Sequence, residues 1–186
     1  MTGARWSVCS EGNGGTVTAR PAPSLIVGLG NPLLCDDGAG ILLAREVHRL
    51  LGDERVELRE AAVGGLELMD LLEGRERAVV IDSILLEDEE PGELFLLDLE
   101  GPLAESFDGG SHHLGLLEGL EVARRLRIPM PGYLKVYALQ VEDPFTFREG
   151  LTPKVAAALP SAAEKIARET RSRLCFRGER KIGKNL

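Results

Sequence analysis

Residues Ser24–Gly40 read SLIVGLGNPLLCDDGAG, and this stretch decides the fold. It opens with the apolar run Leu25–Val27, breaks at a glycine-rich loop and ends at two adjacent carboxylates, Asp36 and Asp37. The apolar residues that follow lie on one face of a helix: Leu43, Val47, Leu50 and Leu51. The pattern predicts a buried strand, a tight loop and a helix whose first turn carries both acids.

The two acids occupy a position where α/β proteins bind ligands. In an open α/β sheet, ligands bind in the crevice formed by the loops at the carboxyl ends of the strands. Asp36 also has a structural interpretation, because Asp is a favoured helix N-cap and its charge suits the positive helix end. Capping does not explain Asp37, which is therefore the stronger candidate for a functional carboxylate.

The composition is that of an ordinary globular protein. The 186 residues are 44% hydrophobic and 28% charged, enough for one domain with a core. A formal net charge of -8 disfavours nucleic-acid binding, since such proteins are usually basic. Cys9, Cys35 and Cys175 are few and far apart, which argues against a disulfide framework and predicts a reducing, cytoplasmic location. No membrane span or secretion signal is expected, because no apolar run approaches about 18 residues.

One domain is predicted between two flanking segments. Residues 1–23 are rich in Gly, Ser, Thr and Pro, and we expect a disordered leader there. Strand and helix patterns alternate through residues 24–174, which predicts a single three-layer α/β/α sandwich. Its sheet should be twisted and mostly parallel, with about five strands. Residues 175–186 form a basic tail without a core pattern.

Two later segments add candidate ligands. The apolar run Ala78–Ile81 is typical of a central parallel strand, and it ends at Asp82, on the same sheet edge as Asp37. His112 and His113 fall in the first turn of a predicted helix. Two carboxylates and an imidazole suit a divalent metal such as nickel or zinc and leave positions open for a partner. Each also has a structural interpretation: the acid as a turn residue, either histidine as a surface or core residue.

Other catalytic motifs do not occur in the sequence. Gly28 and Gly30 lack the third glycine of a dinucleotide-binding fingerprint, because Leu33 stands in its place. A P-loop, a nucleophile elbow and an HExxH zinc motif are all missing. Cys35 beside Asp36 is an alternative nucleophile for a small-ligand α/β enzyme. The sequence places no base for it, and a buried structural cysteine is commoner.

Four motifs follow one another along residues 24–174: GLGNPLLCDDGAG (28–40), VGGLELMDLL (63–72), VVIDSI (79–84) and SHHLGL (111–116). In order and spacing they resemble the hydrogenase maturation proteases, endopeptidases that trim the nickel-containing large subunit of NiFe hydrogenase. The resemblance implies a twisted sheet flanked by helices and a nickel site made by Asp37, Asp82 and His112. His113 is an alternative ligand. The loop Ala61–Val63 departs from the Gly-Gly-Thr type of many relatives.

The resemblance also implies a reaction. One peptide bond near the C-terminus of the large-subunit precursor would be hydrolysed after nickel has entered the precursor's cysteine site. Asp37 and Asp82 would be the catalytic carboxylates, and the protease would bind the substrate's nickel weakly or transiently. A monomer without nucleic-acid or membrane partners is expected. The alternative is a non-proteolytic nickel-binding accessory protein that uses the same ligands.

Overall fold

A computed structural model describes residues 24–62, 66–97 and 122–175 of the chain. Within these ranges the strands are β1 Ser24–Leu29, β2 Val56–Ala61, β3 Arg77–Ile84, β4 Leu94–Leu97 and β5 Tyr133–Gln140. The helices are α1 Ala39–Leu51, α2 Leu66–Leu72 and α3 Pro153–Leu174. A short 3-10 helix, Cys35–Gly38, precedes α1, and residues 122–126 are also helical. None of the described helices is long and apolar enough to cross a membrane.

The strands form one sheet in the order β2-β1-β3-β5-β4. The first four are parallel, and β4 pairs antiparallel with β5 at one edge. This confirms the predicted α/β fold with a mostly parallel sheet of about five strands. Because β2 and β3 flank β1 on opposite sides, the chain order reverses at β1. The loops after β1 and β3 therefore lie at the position where open α/β sheets usually bind ligands.

Helices cover both faces of the sheet. One apolar cluster joins the sheet to α1 and α3, and a second joins it to α2 and Ala123. The buried face of α1 contains Leu43, Val47 and Leu51, as its periodicity predicted. His48 on the same helix lies 2.8 Å from the Val56 carbonyl oxygen through Nε2, so it ties α1 to β2.

Glycines bring the start of α1 against the strand ends. A Cβ on Gly40 would overlap the Leu29 carbonyl oxygen and lie only 2.7 Å from the Ile81 carbonyl oxygen and 2.8 Å from Asp82 Cα. Gly30 has a φ of +125°, and a Cβ there would overlap the Asp37 carbonyl. Only glycine fits both positions. The acid-bearing segment is therefore drawn in against the end of β3.

Two boundaries bear on the predictions. The acids do not lie in the first turn of α1, since the 3-10 helix Cys35–Gly38 carries both of them and α1 begins after it. Helix α3 begins directly after Thr152 and continues through Pro160. The predicted leader, the basic tail beyond residue 175 and the helix bearing both histidines lie outside the described residues.

Candidate functional site

Asp37 and Asp82 meet around a shared neighbour, Ser83. Asp37 is partly exposed, and its Oδ2 accepts a hydrogen bond from the Asn31 backbone N–H at 2.7 Å. Its Oδ1 accepts a longer one, 3.4 Å, from the Ser83 hydroxyl. Asp82 is 3% exposed, and its Oδ1 accepts the Ser83 N–H at 2.8 Å. The structure thus brings the two predicted carboxylates together at the carboxyl edge of the sheet.

The third predicted ligand, His112, and its alternative His113 lie outside the described residues. Within the described ranges, no group of three His, Cys, Asp or Glu side chains could hold a metal ion. Asp37 and Asp82 fit a divalent metal in their chemistry, since carboxylate oxygens are common ligands for such ions. A metal ion held by these two side chains would need further ligands.

Asp36 has a different role from its neighbour. It is fully buried, and its carboxylate accepts hydrogen bonds from the Thr152 N–H at 2.7 Å and the Thr152 hydroxyl at 2.9 Å. It also accepts the backbone N–H groups of Glu142, at 3.3 Å, and Asp143, at 3.1 Å. Neither α1 nor the 3-10 helix has a side-chain cap, so the capping interpretation of Asp36 is wrong. The carboxylate instead fastens residues 142–152 to residues 31–38, which we call the acid loop.

Cys35 is held in the same junction. It is 1% exposed with a φ of 44°, and its N–H donates to the Arg148 carbonyl at 2.7 Å. Arg148 Nη2 lies 2.7 Å from the sulfur, a contact that raises the pKa of the guanidinium. Asp36 Oδ1 is 4.0 Å from the sulfur but already accepts the Thr152 N–H. Burial argues against the alternative of a Cys35 nucleophile, and so does the engagement of Asp36, the carboxylate beside the sulfur among the described residues.

Sequence reasoning missed several residues of this region. Ser83 follows Asp82 directly, so its place at a strand end was visible, although its contact with Asp37 was not. Thr152 and Arg148 are 116 and 113 positions from their partners, and no local pattern signals such pairs. Asn31 supplies a backbone N–H, which any non-proline residue carries.

Comparisons with known proteins agree on one family. The family model described as hydrogenase maturation protease (HycI) matches residues 41–169, which is more than half of the chain. The hydrogenase maturating endopeptidase HybD from E. coli is 27% identical, with a TM-score of 0.66 over 81% of this chain and 93% of that one. The NiFe hydrogenase maturation protease HybD from Thermococcus kodakarensis is 25% identical, with a TM-score of 0.57 over 79% and 98%.

A search of curated proteins gave no match. The family model matches independently of that search. The matched segment runs from α1 well into α3 and contains four of the five described strands. The two structural alignments include 93% and 98% of the solved chains. This chain therefore belongs to the hydrogenase maturation protease family and is an endopeptidase.

Proposed function

We propose that this endopeptidase removes the C-terminal extension from the nickel-loaded large-subunit precursor of a NiFe hydrogenase, in the cytoplasm. It recognises the precursor's nickel through Asp37, Asp82 and His112. The observation that carries the proposal is the meeting of the two carboxylates around Ser83 at the carboxyl edge of the sheet. The sequence resemblance assigns the ligand role to these same two acids.

The two acids are held for different tasks. Asp37 is partly exposed, and hydrogen bonds from Asn31 and Ser83 fix both of its oxygens, so it presents an oriented carboxylate to a substrate. Asp82 is almost completely buried behind it. A fixed carboxylate can accept a proton from an attacking water or offer an oxygen to a divalent ion. Fixed orientation matters because misplaced catalytic groups lose much of their effect.

Nickel is part of the substrate in this proposal. Cysteine thiolates of the precursor are softer ligands than the oxygens of Asp37 and Asp82, so the protease binds free nickel weakly and recognises the loaded precursor. In the hydrolysis, the water oxygen bonds to the scissile carbonyl carbon and gives its proton to the carboxylate pair. The C–N bond then breaks as the amine nitrogen takes up a proton.

The direct test is a cleavage assay analysed by mass spectrometry. Nickel-loaded precursor should lose one C-terminal peptide, whereas metal-free precursor and casein should stay intact. Asp37→Asn and Asp82→Asn should each slow cleavage by roughly 100-fold or more. Asp70→Asn, on the exposed side of α2, is the matched control and should cleave at the wild-type rate.

Three outcomes would change the proposal. Equal cleavage of metal-free precursor would remove nickel recognition from it. Binding without cleavage would favour the accessory-protein alternative. Among the histidines, His112→Ala should abolish cleavage while His113→Ala retains most of it, and the reverse result would move the ligand to His113.

A further inference from the structure

Three apolar side chains stand exposed beside the acid loop. Phe145 is 78% exposed, Phe147 is 79% exposed and Leu33 is 43% exposed. We call these three residues the apolar rim. A parallel bridge pairs Leu34 with Arg148, which sets residue 33 beside residue 147. Apolar groups clustered on a surface mark interaction sites, because exposing them to water is unfavourable.

The backbone that carries the rim is fastened at one end by the junction with the acid loop. The Cys35 N–H donates to the Arg148 carbonyl at 2.7 Å, and the Arg148 N–H donates to the Leu33 carbonyl at 3.0 Å. The Arg148 guanidinium adds its contact with the Cys35 sulfur. The segment that holds both phenylalanines is thus hydrogen-bonded directly to the chain that leads into Asp37.

The other end is fastened by two carboxylates. Buried Asp36 accepts the Glu142 and Asp143 N–H groups. The Asp143 side chain then accepts the N–H groups of Phe145, at 3.4 Å, and Thr146, at 3.0 Å, and hydrogen bonding by Thr146 lowers the Asp143 pKa. Two large aromatic side chains are therefore displayed on an ordered turn. Such preorganisation reduces the entropy lost when a partner binds.

The rim is continuous with the candidate active site. Leu33 lies between Asn31, whose N–H binds the Asp37 carboxylate, and Asp37 itself. Its own N–H donates to the Asn31 side chain at 3.0 Å. Residue 33, and through it the segment that bears the phenylalanines, therefore lies within reach of a polypeptide whose scissile bond is at Asp37.

The charges around the rim limit the partner further. Residues 142–149 contain three acids, Glu142, Asp143 and Glu149, and one base, Arg148, whose guanidinium is engaged with Cys35. The whole chain has a formal net charge of -8. An apolar surface with acidic residues around it is complementary to an apolar segment flanked by Lys or Arg.

We propose that the apolar rim of Leu33, Phe145 and Phe147 is the docking surface for an apolar segment with basic flanks on the precursor, next to its scissile bond. This rests on the proposed function and deepens it. Docking there contributes substrate affinity, whereas Asp37 and Asp82 contribute to the chemical step. Aromatic anchors of this kind carry a large share of the binding energy at protein interfaces.

The test uses the full-length protein and the nickel-loaded precursor. Phe145→Ser/Phe147→Ser should raise KM at least about tenfold and change kcat less than about twofold. The matched control is Leu96→Thr, an exposed apolar residue on β4, and it should leave both constants unchanged. Because both phenylalanines are exposed, the double variant should keep the wild-type melting temperature.

A binding measurement separates this proposal from the proposed function. Titration calorimetry can use Asp37→Asn, in which cleavage is expected to be roughly 100-fold slower or more. Adding the two serine substitutions to this variant should lower its affinity for the precursor by a comparable factor of about ten. If the wild type binds the precursor without cleaving it, the proposed function is wrong. If Phe145→Ser/Phe147→Ser weakens that binding, the docking surface is still supported. Unchanged KM and affinity in the double variant would overturn the docking surface. So would a self-association of the wild type that the serines abolish, because a second copy would then occupy the rim.

Discussion

Thr152 donates both its backbone N–H and its hydroxyl to the carboxylate of Asp36, at 2.7 and 2.9 Å, across 116 positions of sequence. The threonine occupies the N-cap position of α3, yet its hydroxyl makes no cap hydrogen bond to that helix. Two residues that local rules both assign to helix capping are instead bonded to each other. The stability of the site region therefore depends on a contact between the two ends of the domain.

Asp36→Ala should destabilise the protein by about 3 kcal/mol or more, since it leaves the buried Thr152 N–H and the Glu142 and Asp143 N–H groups without their acceptor. Urea unfolding measures this. Asp70→Ala, at an exposed position, should cost less than about 0.5 kcal/mol. A loss of only about 1 kcal/mol for Asp36→Ala would be the size of a helix cap and would contradict the buried network.

Gly40→Ala should destabilise the fold and reduce cleavage together. Its Cβ would overlap the Leu29 carbonyl and crowd Asp82, so the end of β3 must move away from α1. We expect a loss of about 1–3 kcal/mol in unfolding experiments. Gly132→Ala is the matched control, because its Cβ would meet only the Glu76 carbonyl, at 4.0 Å. Equal tolerance of both substitutions would refute the close approach.

Ser83→Ala tests the link between the two carboxylates. Asp37 would lose one hydrogen bond but keep the one from Asn31, so its orientation should be loosened rather than lost. We expect precursor cleavage to fall roughly tenfold, less than in Asp37→Asn, with a stability change of about 1 kcal/mol. Ser161→Ala, an exposed serine on α3, should leave the rate unchanged. A rate as low as that of Asp37→Asn would give Ser83 a direct part in the chemistry.

Ionisation of the Tyr137 hydroxyl should destabilise the protein in alkali. Its side chain is buried, and burial together with the hydrogen bond to Glu169, at 2.9 Å, raises the pKa of its hydroxyl well above the usual value. The folded state therefore favours the neutral form. Its contribution is complete below about pH 10, the ordinary tyrosine pKa, and is lost as pH rises through the raised pKa.

The comparison of variants isolates this effect. Tyr137→Phe should be about 1–2 kcal/mol less stable than wild type at pH 8, and the difference should shrink near pH 11. Burial also raises the pKa of Tyr133, so Tyr133→Phe should lose the part of the alkaline decline that Tyr133 causes and keep the part that Tyr137 causes. A constant difference between Tyr137→Phe and wild type from pH 8 to pH 11 would show that Tyr137 does not control it.

The features that the sequence predicted well are those set by neighbouring residues. The run Ala78–Ile81 lies within a buried central strand, and the spacing of Leu43, Val47 and Leu51 gave the inner face of α1. Both depend on a period that can be counted along a few turns or residues. Parallel pairing then placed the ends of β1 and β3 together, which is why Asp37 and Asp82 could be assigned to one edge.

The partners of Asp36 and Cys35 could not be predicted in this way, although a buried structural role for Cys35 was the commoner expectation. Their partners, Thr152 and Arg148, are more than a hundred residues away, and the composition near either end carries no mark of the pairing. Local propensity therefore favoured helix capping for Asp36, while tertiary burial gave it a different set of donors. The left-handed backbone of Cys35 is likewise imposed by its fixed neighbours rather than by its own preference.

The distance between Asp36 and Thr152 also has a consequence during synthesis. Chains emerge from the ribosome N-terminus first, so the acid loop is made long before the donors that bury it. Until residues 142–152 have been translated, the Asp36 carboxylate lacks the four donors that this segment supplies. An unfinished chain therefore carries Asp37 and Asp82 on a segment that is not yet fastened to the rest of the domain. The endopeptidase can complete its candidate site only once the chain has been made as far as α3.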